Sequence, residues 1–136
     1  MARTYAVRAT GWRHGVKRGD VFIASIKGTA SKPRPSVVVQ ANEFILPERP
    51  IIVCPLTSIL ADASMIRVTI RPTPTNGLRE ISQAMVDRLS AALPERIGTR
   101  IGHLEAEDIA RIKFALINVL SLQKALPIAS GLGIQT

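Results

Sequence analysis

The sequence predicts a mainly β domain with an appended C-terminal helix, an α+β class, on three observations. Short apolar, β-branched segments recur between Gly and Pro punctuation from Asp20 onward, Asn76-Gly77 offers a tight turn between two of them, and a single long helical periodicity follows Leu104. No internal repeat interrupts this order.

The first strand is read over Val21 to Ile26, apolar on both alternating sides and so buried on both faces. The stretch Lys27 to Pro35 is read as a loop, because Gly28 favours turns and two prolines lack amide donors; it projects Lys32 and Arg34 as a basic rim. The sheet resumes at Ser36 to Gln40 and again at Ile51 to Leu56. In Met65 to Arg71, Ile66, Val68 and Ile70 alternate with Arg67, Thr69 and Arg71, which gives a strand with one wet, cationic face. Asn76-Gly77 leads into a fifth strand near Ile81 to Val86, and Arg96 to Gly102 adds a sixth. Glu105, Glu107 and Asp108 supply the negative charge that stabilises a helix N-terminus. Beyond them Ile109, Ile112, Leu116, Val119 and Leu120 share one helical face, with Phe114 and Ile117 off that stripe, until Pro127 ends the pattern.

At 136 residues the chain has the size of one domain able to bury its own core. It divides into a basic N-terminal extension, residues 1–16, a folded domain, 17–123, and a C-terminal tail, 124–136, whose last stretch from Ala129 is small and uncharged. The apolar share of 46% is broken into runs too short to cross a bilayer, and no secretory leader pattern opens the chain, so a cytoplasmic protein without a membrane partner is expected. Cys54 lies in Ile51-Ile-Val-Cys-Pro-Leu56 and is read as a small buried hydrophobe. One cysteine and two distant histidines, His14 and His103, fit no zinc spacing, so no metal and no other cofactor is expected. The net charge is +8, and it is concentrated: residues 1–35 carry eight basic side chains against Asp20 alone, and the remainder ten against nine. Such a balance suits a polyanion or an acidic protein.

Taken alone, Arg34 reads as an exposed loop cation, and Thr57 and Ser58 as a turn cap closing the third strand. His14 precedes the first strand in a Gly-flanked stretch, and His103 sits at the helix entry, where capping or packing is the ordinary role.

The order Arg18-Gly-Asp-Val-Phe-Ile23, Lys32-Pro-Arg-Pro-Ser-Val-Val-Val-Gln40, Val53-Cys-Pro-Leu-Thr-Ser58, Met85-Val-Asp87 and Arg96-Ile-Gly-Thr-Arg-Ile-Gly-His-Leu104, followed by Glu107-Asp-Ile-Ala-Arg-Ile112, resembles the MazF/PemK/Kid toxin family over residues 17–122. The resemblance implies an SH3-like small β-barrel of the CcdB/Kid/MazF type with a C-terminal helix, and a homodimer whose groove holds single-stranded RNA. It implies a toxin of a type II toxin-antitoxin system, an endoribonuclease that cuts mRNA without a metal, and an acidic antitoxin protein as partner. Arg34 occupies the family's catalytic arginine position and Thr57 that of the threonine in the third-strand motif, with Ser58 as a binding hydroxyl; Asp87 matches a carboxylate that acts as base or orients the site in some members. Where those members place an arginine two residues before the aspartate, this chain has Met85, and Asp87-Arg-Leu-Ser-Ala91 departs from the Gln-x-Arg-Thr that often follows.

The chemistry fits these residue types. Turning the ribose 2′-hydroxyl onto phosphorus needs a proton route and a cation facing the developing charge, and guanidinium offers a planar fork of donors matched to phosphate oxygens. Lys32, Arg67 and Arg71 are read as additional phosphate ligands. Two other readings remain: a binding-only toxin that poisons a protein target such as gyrase, and a catalytically impaired RNA- or antitoxin-binding module.

Overall fold

The computed structural model describes residues 15–25, 32–63 and 65–125. His14, the residues before it, Ile26 to Ser31 and the tail from Leu126 lie outside the described residues, and with them most of the expected extension and tail.

Seven strands and one α-helix follow in the order β1 (Asp20–Ala24), β2 (Arg34–Val38), β3 (Ile51–Thr57), β4 (Arg67–Ile70), β5 (Ser82–Met85), β6 (Ser90–Ala92), β7 (Ile97–His103) and α1 (Ala106–Val119). All pairings are antiparallel, and the path runs β4-β5-β3-β2-β1-β7, with β6 pairing the other end of β3. Strand β3 is the hinge of this layout: its residues Leu56 and Thr57 pair with β5, while Ile51 to Val53 pair with β6.

The strand ladder does not close into a full barrel, since β4 and β7 are not paired to each other among the described residues. The gap is spanned by the loop after β4. The His103 amide donates to the Thr75 carbonyl at 2.9 Å, and a side chain at Gly77, whose φ is +71°, would collide with the Ile101 carbonyl. Asn76 is wholly buried at the centre of that loop; its Oδ1 accepts from the Thr73 and Leu78 amides at 3.0 Å each, and its Nδ2 donates to the Arg71 carbonyl at 2.9 Å. Asn76-Gly77 is therefore not a two-residue hairpin but the pin of a longer loop, because a buried amide that satisfies three backbone groups stabilises a wide turn as a unit.

Side-chain alternation sorts the core onto two faces. Val21, Val37, Cys54, Leu56, Val68, Ile70 and Ala84 form one cluster with Leu104, Ile112 and Ala115, so α1 packs on this face; Ile109, Leu116 and Val119 pack against it, partly buried. Phe22, Val38, Ile51, Val53, Ala92 and Ile97 form the other. Leu120 departs from the expected stripe and is exposed, because the helix has ended: it is the C-cap residue, with φ −96° and ψ 0°. Glu107 and Asp108 stand in the first helical turn as expected, and the Glu105 carboxylate accepts the Thr73 hydroxyl.

Strand β2 begins earlier than the prolines suggested. Arg34 and Pro35 belong to the strand rather than to a loop, paired with Ala24 and Ile23 at the end of β1. The ladder to β1 has its last pair there, where a missing amide donor costs least.

Candidate functional site

Arg34 and Thr57 belong to neighbouring strands, and the pairing register sets them against each other. Ser36 pairs with Pro55, Val37 with Cys54 and Val38 with Val53. Carried two residues beyond the Ser36–Pro55 pair, the same register would put Arg34 opposite Thr57, where Cβ atoms on one face stand roughly 5 Å apart. Thr57 in turn pairs with Gln83, and Gln83 with Thr69. Thr57, Gln83 and Thr69 thus form a polar row across three strands, and the extended register adds Arg34 as a fourth member, for a row about 14 Å long at ordinary strand spacing. Arg67 shares the face of Thr69 by alternation, and Arg71 follows one step beyond the end of β4.

The row is chemically equipped at its Arg34 end. Arg34 is partly exposed and has no ion-pair partner among the described residues. Thr57 Oγ1 accepts the Ile59 amide at 3.1 Å, closing a small turn that fixes the hydroxyl and leaves its hydrogen free to donate outward. The turn-cap role read from sequence and a ligand-binding role are therefore compatible in one side chain. Ser58 follows in the turn, exposed, and Lys32 is exposed two residues before β2.

Further along, Gln83 is buried and spent internally: it donates to the Ala61 carbonyl and accepts the Ala61 amide, tying the β3–β4 connection down beside the row. The Arg67 Nε is buried without a hydrogen-bond partner in the structure. Arg67 lies on a groove of about 650 Å³ between the residue 61–65 connection, β4 and α1, whose walls include Thr69, Arg111 and the exposed ring of Phe114. Arg71 lines a separate recess with Thr73, Glu105 and Asp108, so its surroundings include acids as well as cations.

Asp87 is not at the Arg34–Thr57 end. It stands exposed in a short 3-10 turn, Val86–Arg88, that leads into β6, and β6 pairs Ser90 with Val53. Its charge is felt at Cys54: burial first, and the Asp87 carboxylate second, push that thiol up to about 12. Cys54 is three residues from Thr57, about 10 Å along β3. The absent arginine at Met85 has a spatial counterpart that the linear sequence conceals, because Met85 pairs with Arg67 across the β4–β5 ladder.

One cluster went unassigned in the sequence. Asp20, whose side chain is 2% exposed, accepts from His103 Nδ1 at 2.8 Å on one oxygen, which also pairs with Arg100 Nε at 3.1 Å, and from the Lys17 amide at 2.9 Å on the other. Its members are up to 86 residues apart in the chain, and only β1–β7 pairing joins them. The one linear hint was a carboxylate opening a strand that is otherwise wholly apolar. Among the described residues no three His, Cys, Asp or Glu side chains gather as a metal-ligand set, and no helix is long and apolar enough to cross a membrane.

Residues 17–120 match the family of PemK-like, MazF-like toxins of type II toxin-antitoxin systems. The chain belongs to this family. A relative named as a probable endoribonuclease MazF, from Mycolicibacterium smegmatis, is 32% identical over 108 residues, spanning 79% of this chain and 98% of the relative. The fold matches an endoribonuclease in complex with its cognate antitoxin from a mycobacterial species, with a TM-score of 0.66 at 17% identity over 79% of this chain and 97% of the other. It also matches the Mycobacterium tuberculosis toxin MazF-mt6, with a TM-score of 0.62 at 20% identity over 75% and 96% of the two chains. MazF from Deinococcus radiodurans gives 0.61 at 18% identity over 78% and 96%. These family members share the mainly antiparallel sheet with a C-terminal helix found here.

Proposed function

We propose that this toxin is an endoribonuclease that cuts single-stranded RNA, mRNA included, by turning a ribose 2′-hydroxyl onto the adjacent phosphate. What supports the reading is the β2–β3 register, which, carried two residues past the Ser36–Pro55 pair, brings Arg34 at the start of β2 across from Thr57 at the end of β3. The family's endoribonuclease relative supports the same activity.

In this reading the Arg34 fork faces the non-bridging oxygens and offsets the charge that grows on them, worth most because the ion cannot lose its proton at neutral pH. Thr57, its oxygen held by the Ile59 amide, donates its hydrogen to the same phosphate and orients it. The 2′-oxygen bonds to phosphorus, the bond from phosphorus to the 5′-oxygen breaks, and the proton lost by the first ends on the second. The products are a 2′,3′-cyclic phosphate and a 5′-hydroxyl, with no metal in the step. Ser58, Lys32, Arg67 and Arg71 hold flanking phosphates, and Asp87 orients a neighbouring nucleotide rather than serving the linkage held by Arg34 and Thr57. A homodimer with a shared RNA groove and an acidic antitoxin that covers it complete the assignment; the net charge of +8 suits both anionic partners.

End analysis of cut transcripts tests it. Cleavage that persists in EDTA and leaves 2′,3′-cyclic phosphate and 5′-hydroxyl ends is expected, whereas 3′-hydroxyl and 5′-phosphate ends would exclude 2′-hydroxyl attack.

A further inference from the structure

The Asp20 cluster lies at the far end of β1 from Arg34. Arg34 pairs with Ala24 and His103 pairs with Asp20, so the two places are four residues apart along β1, about 13 Å. There a recess of about 460 Å³ is lined by Gly15, Lys17, Asp20, Arg100 and His103. Two cations and an imidazole surround a buried carboxylate that is already engaged inside the fold, since Asp20 accepts two hydrogen bonds and pairs with Arg100. A carboxylate so occupied neutralises part of the local charge but offers little to a ligand. What remains open is the Lys17 ammonium, which has no partner among the described residues, the outer nitrogens of Arg100, and His103 Nε2.

The orientation of the imidazole follows from its partner. The Asp20 carboxylate engages Nδ1, so Nε2 is the ring nitrogen left for a ligand. The ring is seated by Gly19, whose φ is +94°; a Cβ there would stand 2.9 Å from Cε1 and 3.0 Å from Nε2, so any larger residue would displace the ring edge. The His103 side chain is 34% exposed. Two cations beside one fixed ring nitrogen match a phosphate carrying a neighbouring hydroxyl, which can donate or accept.

We propose that this recess is a second RNA contact, one that holds a backbone phosphate between Lys17 and Arg100 and hydrogen-bonds the 2′-hydroxyl of the attached ribose at His103 Nε2. The inference rests on the RNA-cleaving reading but concerns a site about a strand's length from the chemistry. It gives the enzyme a grip on the strand remote from the cut, with a built-in preference for ribose over deoxyribose.

The test uses the full chain with Arg34→Ala as background to stop turnover, a single-stranded RNA oligonucleotide, the DNA of the same sequence, and a polyglutamate peptide. Histidine resonances are assigned with His103→Gln, and binding is measured against salt for Lys17→Gln and Arg100→Gln. We expect the His103 Nε2 signal to shift with RNA and much less with DNA. Each cation substitution is expected to weaken RNA binding several-fold and lower the salt slope by about 0.7, the release expected for one phosphate of a single strand. Lys17→Gln is the cleaner variant, because its side chain holds nothing in the fold; thermal melting checks that Arg100→Gln stays folded. Equal His103 shifts with RNA and DNA, a response to the peptide alone, or an unchanged salt slope in Lys17→Gln would each overturn the proposal. If the unsubstituted protein does not cut RNA, the cleavage reading fails first; if it cuts while these variants bind as the background does, only the second contact fails.

Discussion

Raising the pH above 9 should destabilise the fold through Cys54. Its thiol, ordinarily near 9.0, is pushed up to about 12, mainly by burial in the first core cluster and secondarily by the Asp87 carboxylate. Between those two values the unfolded chain has given up the proton while the folded chain keeps it. The unfolded state then binds fewer protons, so stability falls with rising pH and is untouched by this group below 9. The slope is about 1.4 kcal/mol per pH unit, so the full window of three units amounts to roughly 4 kcal/mol, a large part of the stability of a small domain. Urea denaturation of the wild type and Cys54→Ala at intervals from pH 8 to 11 isolates the effect: the variant loses packing at every pH, but the gap between the two curves should narrow as pH rises past 9. Parallel curves across that range would refute the argument that the thiol is buried in the folded state.

Asn76→Ala should cost about 3–5 kcal/mol, because two amides and one carbonyl lose a buried partner, and the urea midpoint reads it. Gly102→Ala should yield little folded protein, since a Cβ there would meet the Asn76 and Thr75 backbone, which has no room to give; circular dichroism of the purified variant checks this. Phe114→Ser, by contrast, should leave thermal stability nearly unchanged, within about 0.5 kcal/mol, because the ring is 65% exposed on α1.

The strands with strong alternation were legible from the chain alone. Val68 and Ile70 point into the core while Arg67 and Thr69 stay partly exposed, as their two-residue period demands. The helix was legible for the same reason, at its own period. Strand β6 was not, since Ser90-Ala-Ala92 carries neither alternation nor bulk and is a strand only because Ile51 to Val53 offer it an edge. Arg34 stands out only through the family resemblance, and its membership of β2 is hidden by the flanking prolines, which local rules place in a loop. Long-range relations were invisible in principle: Arg67 opposite Met85, and Asp20 against His103 at a separation of 83 residues, depend on register and sheet order, which no local pattern encodes. The wide Asn76 loop was misread because Asn-Gly favours a tight turn in isolation, whereas here burial of the amide decides.

The central claim, that Arg34 and Thr57 act on one phosphate, is tested most directly by a double-mutant cycle on kcat/KM for a single RNA substrate, with Arg34→Ala, Thr57→Ala and the pair. Losses that fall well short of multiplying in the double variant are predicted, since each side chain works only when the other holds the same group. Losses that multiply independently would mean that the two act at separate places, and would contradict the account.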